Sequence, residues 1–189
     1  MTTLPARSAL LLVDVQRGFD DLAFWGRRSN PGAEAAIGAL AATWVGTGRP
    51  VVVVQHASAP GRPLAADAPG HALMDVVADV PAALHVTKTV NSAFYGTPDL
   101  HAWLQAAGIG HLVVAGIQTN MCVETTVRMA GNLGYQVLLP LDATFTFDAA
   151  GPDGAVLTAD ELSRATATSL HAGGFATVVT TEEVLAAAR

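Results

Sequence analysis

Three residues of this chain could together run nucleophilic chemistry on a carbonyl group. Cys122 is the only cysteine, and of ten Lys and Arg residues only Lys88 is a lysine. Asp14 closes the apolar run Leu10-Leu-Leu-Val-Asp14. A thiol supplies a nucleophile, a carboxylate a general base, and an ammonium a compact charge that can sit beside either. Each also has a plainer reading. A lone cysteine is often a buried, inert side chain. Asp14 could be a cap or turn residue at a strand end, and Lys88 an ordinary surface cation. Position favours the chemical reading, because Asp14, His56, Lys88 and the segment leading to Cys122 all fall at or just after the ends of expected strands. In open parallel sheets, ligands bind beyond the carboxyl ends of the strands.

The elements that must hold these residues alternate between short β-branched runs and longer helical ones. Strands are expected at Ala9–Val15, Val51–Gln55, His85–Lys88, Leu112–Ala115, Gln136–Leu139 and Ala176–Val179. Helices are expected at Ala33–Val45, Thr97–Ala107, Asn120–Asn132, Ala159–His171 and Thr181–Ala188, the fourth opened by Thr158 with Glu161 three residues on, a capping-box spacing. Residues 57–83 are proline-rich and weakly periodic, which predicts a long loop with one short helix at Ala72–Val77; loops of that length are usually functional. Such alternation implies right-handed βαβ crossovers and a mostly parallel sheet covered on both faces. Cys122 then lies in the first turn of its helix, where the N-terminus would stabilise a thiolate and lower its pKa below about 8.5. The same N–H groups could receive an oxyanion.

Composition narrows the class. At 189 residues, 51% hydrophobic and 14% charged, the chain fits a compact α/β protein, and a single domain over 1–189 is expected. A net charge of −6 with no basic run argues against nucleic acid. The longest apolar stretches, Ala9–Val13 and Val51–Val54, are too short to cross a bilayer, and no signal peptide is evident. One unpaired cysteine excludes an internal disulfide and suits a reducing cytoplasm.

Three ordered segments are similar to the isochorismatase-like cysteine hydrolases: Leu11-Leu-Val-Asp-Val-Gln-Arg-Gly-Phe19, Lys88-Thr-Val-Asn-Ser-Ala-Phe-Tyr-Gly-Thr97 and Ala115-Gly-Ile-Gln-Thr-Asn-Met-Cys-Val-Glu-Thr-Thr126. That superfamily includes nicotinamidases, N-carbamoylsarcosine, ureidoacrylate and maleamate amidohydrolases, and streptothricin hydrolase. The resemblance implies a Rossmann-like three-layer α/β fold, with a six-stranded parallel sheet of order 3-2-1-4-5-6 flanked by helices. It implies an Asp14–Lys88–Cys122 triad. It also implies a cis peptide joining Ile117 and Gln118, which would aim the Gln118 N–H, beside that of Cys122, into an oxyanion hole.

Nicotinamidases of the superfamily bind a divalent metal through an Asp-x-His pair and a distant His. His56 falls near the first of those histidines and His71 could be the second, but position 54 is Val, so no metal is expected. His56 reads instead as a pocket or structural residue, and His85, His101, His111 and His171 as surface or cap residues. Gln16, Phe19, Trp25, Asn91 and Phe94 are further pocket candidates, with Ser92 and Tyr95 close by. Glu124 and Arg128 have the spacing of an ion pair on one helix.

The expected activity is cofactor-free hydrolysis of an amide, ureido or lactam bond in a small molecule. Cys122 would form a thioester, Asp14 shuttle the proton and Lys88 balance charge. Two alternatives stand beside it. One is vinyl-ether hydrolysis of the isochorismatase type, whose members generally lack the cysteine. The other is a non-enzymatic thiol sensor or binding module, in which the Asp and Lys segments would be superfluous. The run His56-Ala-Ser-Ala-Pro-Gly-Arg-Pro-Leu64 with Pro69-Gly-His71 looks more like the streptothricin hydrolase branch than like nicotinamidases. A homodimer or homotetramer is usual in the superfamily.

Overall fold

The apolar run after Arg7 becomes β1 (Ser8–Val13), buried at all six positions. Full burial on both faces is what a central parallel strand requires, and it explains why the run does not alternate with polar residues. β2 (Val51–His56), β3 (Leu84–Lys88), β4 (His111–Ile117) and β5 (Gln136–Pro140) follow. The short strands β6 (Thr144–Phe145), β7 (Ala149–Ala150) and β8 (Val156–Leu157) precede β9 (Thr177–Val179). The computed structural model describes residues 3–188, so residues 1, 2 and 189 of the expected 1–189 domain lie outside it.

The main sheet has seven strands, in the order β3-β2-β1-β4-β5-β9 with β6 paired to β4, and every pairing is parallel. Leaving aside the two-residue strands, this is the expected order 3-2-1-4-5-6. β6 is the addition, extending the sheet at Gly116 and Ile117. β7 and β8 form a separate antiparallel ribbon.

The pleat divides β1 between two cores. Leu10 and Leu12 pack with Ile37, Leu40 and Trp44 of α2 (Ala33–Gly46), and with Val184 and Ala187. Ala9, Leu11 and Val13 pack on the other face with Leu100, Leu104, Val127 and Leu170. These last four come from α4 (Leu100–Ala106), α5 (Glu124–Asn132) and α6 (Ala159–Ala172). α7 (Thr181–Ala187) closes the first face, and the short α1 (Leu22–Trp25) and α3 (Asp75–Ala78) lie in the connections.

Several boundaries differ from expectation for local reasons. β1 stops at Val13 because Asp14 adopts a left-handed conformation, φ 53°. α4 begins at Leu100 because the Asp99 side chain caps it, after a cis Thr97–Pro98 bond. Residues 57–83 contain a single 3-10 turn at Pro69–His71 and then α3, which starts at Asp75 instead of Ala72. Thr158 and Glu161 form the expected capping box, and Thr180 with Glu183 form a second one at α7. Among the described residues, no helix is long and apolar enough to cross a membrane.

Candidate active site

The order in which strands are added reverses between β1 and β4, and such a switch point opens a crevice at the carboxyl ends of the strands. Asp14 follows β1 directly. Val13 pairs with Gly116, and a Cβ at Gly116 would stand 2.0 Å from the Val13 carbonyl oxygen. Glycine at that position lets β4 close against the turn that carries Asp14, and its φ of 133° is one other residues rarely adopt. Asp14 donates its backbone N–H to Val54, and its carbonyl accepts from Gln16, so the left-handed turn is tied on both sides.

Lys88 ends β3, two strands away, and reaches across to Asp14. Its Nζ lies 2.6 Å from Asp14 Oδ2, with both side chains at 0% exposure. Burial raises the Asp14 pKa above the ordinary carboxylate value, and the Lys88 charge only partly opposes it. The other carboxylate oxygen, Oδ1, is buried without a hydrogen-bond partner. One oxygen is thus anchored while the other is open to accept a proton.

Cys122 lies after β4, but not within the first turn of an α-helix. Thr119–Val123 form a π-helical turn, and α5 starts at Glu124. The Ile117–Gln118 peptide before it is cis. The expected lowering of the thiol pKa does not occur. Burial, followed by the neighbouring Asp14 carboxylate, pushes the Cys122 thiol up to about 12, despite the opposing pull of Lys88. The resting group is therefore a neutral thiol beside a base.

His56, at the end of β2, completes the cluster. One donor atom each from Asp14, His56 and Cys122 lie within 4.8 Å of one another. Such a trio could in principle hold a cation, yet the Lys88 ammonium already sits among them, 2.6 Å from Asp14 Oδ2 and 3.2 Å from His56 Nδ1. A divalent metal would have to displace that ammonium, so the donor set does not fit one. His71 does not join the trio; its Nδ1 is 3.2 Å from Gln16 Nε2.

Gln16, a pocket candidate from the sequence, is 0% exposed with its amide spent inside the protein. Its Oε1 accepts from the His56 N–H, and its Nε2 donates to the carbonyls of His56 and His71. It binds the 57–83 segment to the site and has no free group to offer a substrate. Phe19 is likewise core, 2% exposed and packed with Trp25, Phe145 and Phe147. Trp25 is partly buried and donates Nε1–H to the Gly18 carbonyl. Phe94 is half-buried and stacks on Tyr135, whose hydroxyl meets the partly buried His101. Asn91 is exposed on the turn after β3, and Ser92 caps the next 3-10 turn by accepting from the Phe94 N–H. Glu124 and Arg128 form the expected ion pair.

Sequence reading passed over Thr146. Its hydroxyl is buried within hydrogen-bond distance of the side-chain amides of both Gln118 and Asn120. With one hydroxyl proton it can donate to only one of them, so the other must present its NH2. Thr146 thereby braces the segment on which Cys122 sits. No spacing or composition signal marked it.

An isochorismatase domain model matches residues 8–183. The chain is 36% identical over 182 residues to YrdC, an uncharacterized isochorismatase family protein of Bacillus subtilis (strain 168), across 95% of each protein. It is 39% identical over 150 residues to a streptothricin hydrolase of Streptomyces noursei, spanning 77% of this chain and 52% of that protein. A solved structure of an isochorismatase-family protein from Chromobacterium violaceum ATCC 12472 matches with a TM-score of 0.93 at 39% identity, covering 100% of this chain and 96% of the other.

Proposed function

We propose that this chain, which belongs to the isochorismatase family, is a cysteine-dependent hydrolase of a C–N bond in a small molecule: an amide, ureido or lactam bond. The observation that carries this reading is the half-buried thiol held within 4.8 Å of a carboxylate that has one oxygen fixed by Lys88. The likeness to a streptothricin hydrolase adds support.

In the proposed reaction, the Cys122 S–H proton passes to Asp14 Oδ1 as Sγ attacks the substrate carbonyl carbon. The carbonyl electron pair moves onto oxygen, which is received by the N–H groups of Gln118 and Cys122. Collapse of that intermediate breaks the C–N bond, and Asp14 returns the proton to the departing nitrogen. Water, losing a proton to Asp14, then attacks the thioester. The C–S bond breaks, the acid leaves and the thiolate recovers its proton. Lys88 keeps the local charge near neutral throughout. A thiol of high resting pKa beside an open carboxylate oxygen suits this order, because the thiolate is needed only while attack proceeds. The reading includes no cofactor, a reducing cytoplasmic setting and self-association into a dimer or tetramer.

The test is a panel of small amides, ureides and lactams, incubated with enzyme and quenched in acid for intact mass. An acyl adduct on wild-type protein, absent from Cys122→Ser, together with release of the amine, is the expected result. Turnover that survives in Cys122→Ser would remove Cys122 from the mechanism.

A further inference from the structure

Lys88 and His56 stand directly abreast in neighbouring parallel strands, paired in the β2–β3 register. The Lys88 side chain is fully buried, so each proton of its ammonium needs an acceptor from the protein. Asp14 Oδ2 takes one at 2.6 Å, and Cys122 Sγ, within 4.8 Å of a donor atom of Asp14 and of His56, is the neighbour for a second. His56 Nδ1, 3.2 Å from Nζ, is placed for the third. An ammonium has no lone pair, so Nδ1 must be the acceptor and the ring proton must sit on Nε2. The backbone that carries the ring is held in place, because Gln16 accepts from the His56 N–H at 2.8 Å and donates to its carbonyl at 3.0 Å.

We propose that His56 is a positioning residue for Lys88: as the third acceptor, its Nδ1 fixes the rotation of the ammonium so that one N–H stays aimed at Cys122 Sγ. This rests on Cys122 being the nucleophile. The ring acts on the thiol through Lys88 and not through the substrate. Its surroundings keep it neutral and able to accept. Asp14, Lys88, Cys122 and His71 are the titratable groups that face it, and desolvation followed by the Lys88 charge lowers its pKa to about 4.

Two amides separate the ring nitrogens. Asn has a side-chain oxygen near the place of Nδ1, whereas Gln reaches toward Nε2; Leu offers neither. The experiment is iodoacetamide alkylation of native wild type, His56→Asn, His56→Gln and His56→Leu across pH, read by intact mass, with thermal melts alongside. With a single cysteine, every adduct reports Cys122. His56→Asn should follow the wild-type profile, while His56→Gln and His56→Leu should react roughly 10–100-fold more slowly near neutral pH, the loss of one hydrogen bond to a charged group. If His56→Leu does not melt cooperatively, the contrast of Asn with Gln decides. Wild-type rates in both the Gln and Leu variants would overturn the inference and leave the nucleophile assignment standing. A wild-type thiol that reacts only after denaturation would overturn both.

Discussion

Lys88 Nζ and Asp14 Oδ2 are 2.6 Å apart, with neither side chain exposed to solvent. A buried pair gains little over an apolar replacement, but breaking one side leaves a desolvated charge. Lys88→Met should therefore destabilise the protein by about 3–5 kcal/mol and abolish turnover. Adding Asp14→Asn should restore part of the stability and none of the activity. Urea denaturation of the two single variants and the double variant measures the coupling. Equal stability of Lys88→Met and wild type would contradict it.

Asp14 must be ionised to accept the thiol proton, and its pKa lies above the ordinary carboxylate value because of burial. The acid limb of kcat/KM should accordingly have its midpoint above 3.8. Cys122, pushed up to about 12, should give no separate rise around pH 9. A pH–rate profile climbing with a midpoint near 8.5–9, as for an ordinary free thiol, would mean that the thiol ionises independently of Asp14.

His56 makes a separate prediction about stability. Its pKa is near 4 when folded, below the ordinary 6.5. As pH falls through 6.5 the unfolded chain takes up a proton that the folded chain refuses, so stability falls between pH 6.5 and 4 and is fully present above that window. His56→Asn lacks this titration. Its melting temperature should fall less steeply than that of wild type between pH 6.5 and 4. Parallel curves would show that His56 titrates alike in both states.

The strands and the residues Asp14, Lys88 and Cys122 stood out in the sequence through local signals, whereas the sheet order came from the family resemblance. Apolar β-branched runs mark the strands, and a lone Lys and a lone Cys stand out against the composition. The relations between neighbouring strands were not legible. Gln16 reads as a polar residue beside a catalytic acid, and only the fold shows that residues 56 and 71 consume its amide. Phe19 carries no local sign separating pocket from core; Phe145 and Phe147, which bury it, are over a hundred residues away in sequence. The thiol pKa was misjudged for a similar reason. A helix N-terminus is visible in sequence, whereas the depth of burial and the facing carboxylate belong to tertiary structure.

Gln16→Leu should leave the His56 N–H and the His71 carbonyl short of their side-chain partner. A buried group left unsatisfied costs about 1–3 kcal/mol. The 57–83 segment would also lose a tie to the site, although Gln55 still donates to the His71 carbonyl. Amide hydrogen exchange should show faster exchange at residues 69–74, with β4 and β5 unchanged. Uniform acceleration across the sheet would indicate a general loss of stability instead of a local clamp.

Gly116→Ala tests whether close approach of β4 to β1 holds the catalytic turn. The new methyl group would meet the Val13 carbonyl oxygen at 2.0 Å and the Val13 carbonyl carbon at 2.8 Å, both backbone atoms without a rotamer to yield. The φ of 133° adds strain for any L side chain. The two effects act at the same register position, next to Asp14, so relief requires β1 and β4 to separate just where the acid and the thiol must stay together. Overpacking of this kind costs roughly 1–3 kcal/mol before the backbone term. Alkylation of Cys122 should then become faster, because a parted crevice exposes the half-buried thiol further, while hydrolysis falls, because Asp14 moves away from Sγ. Loss of stability with unchanged alkylation and hydrolysis would place the strain elsewhere in the sheet and detach Gly116 from the site.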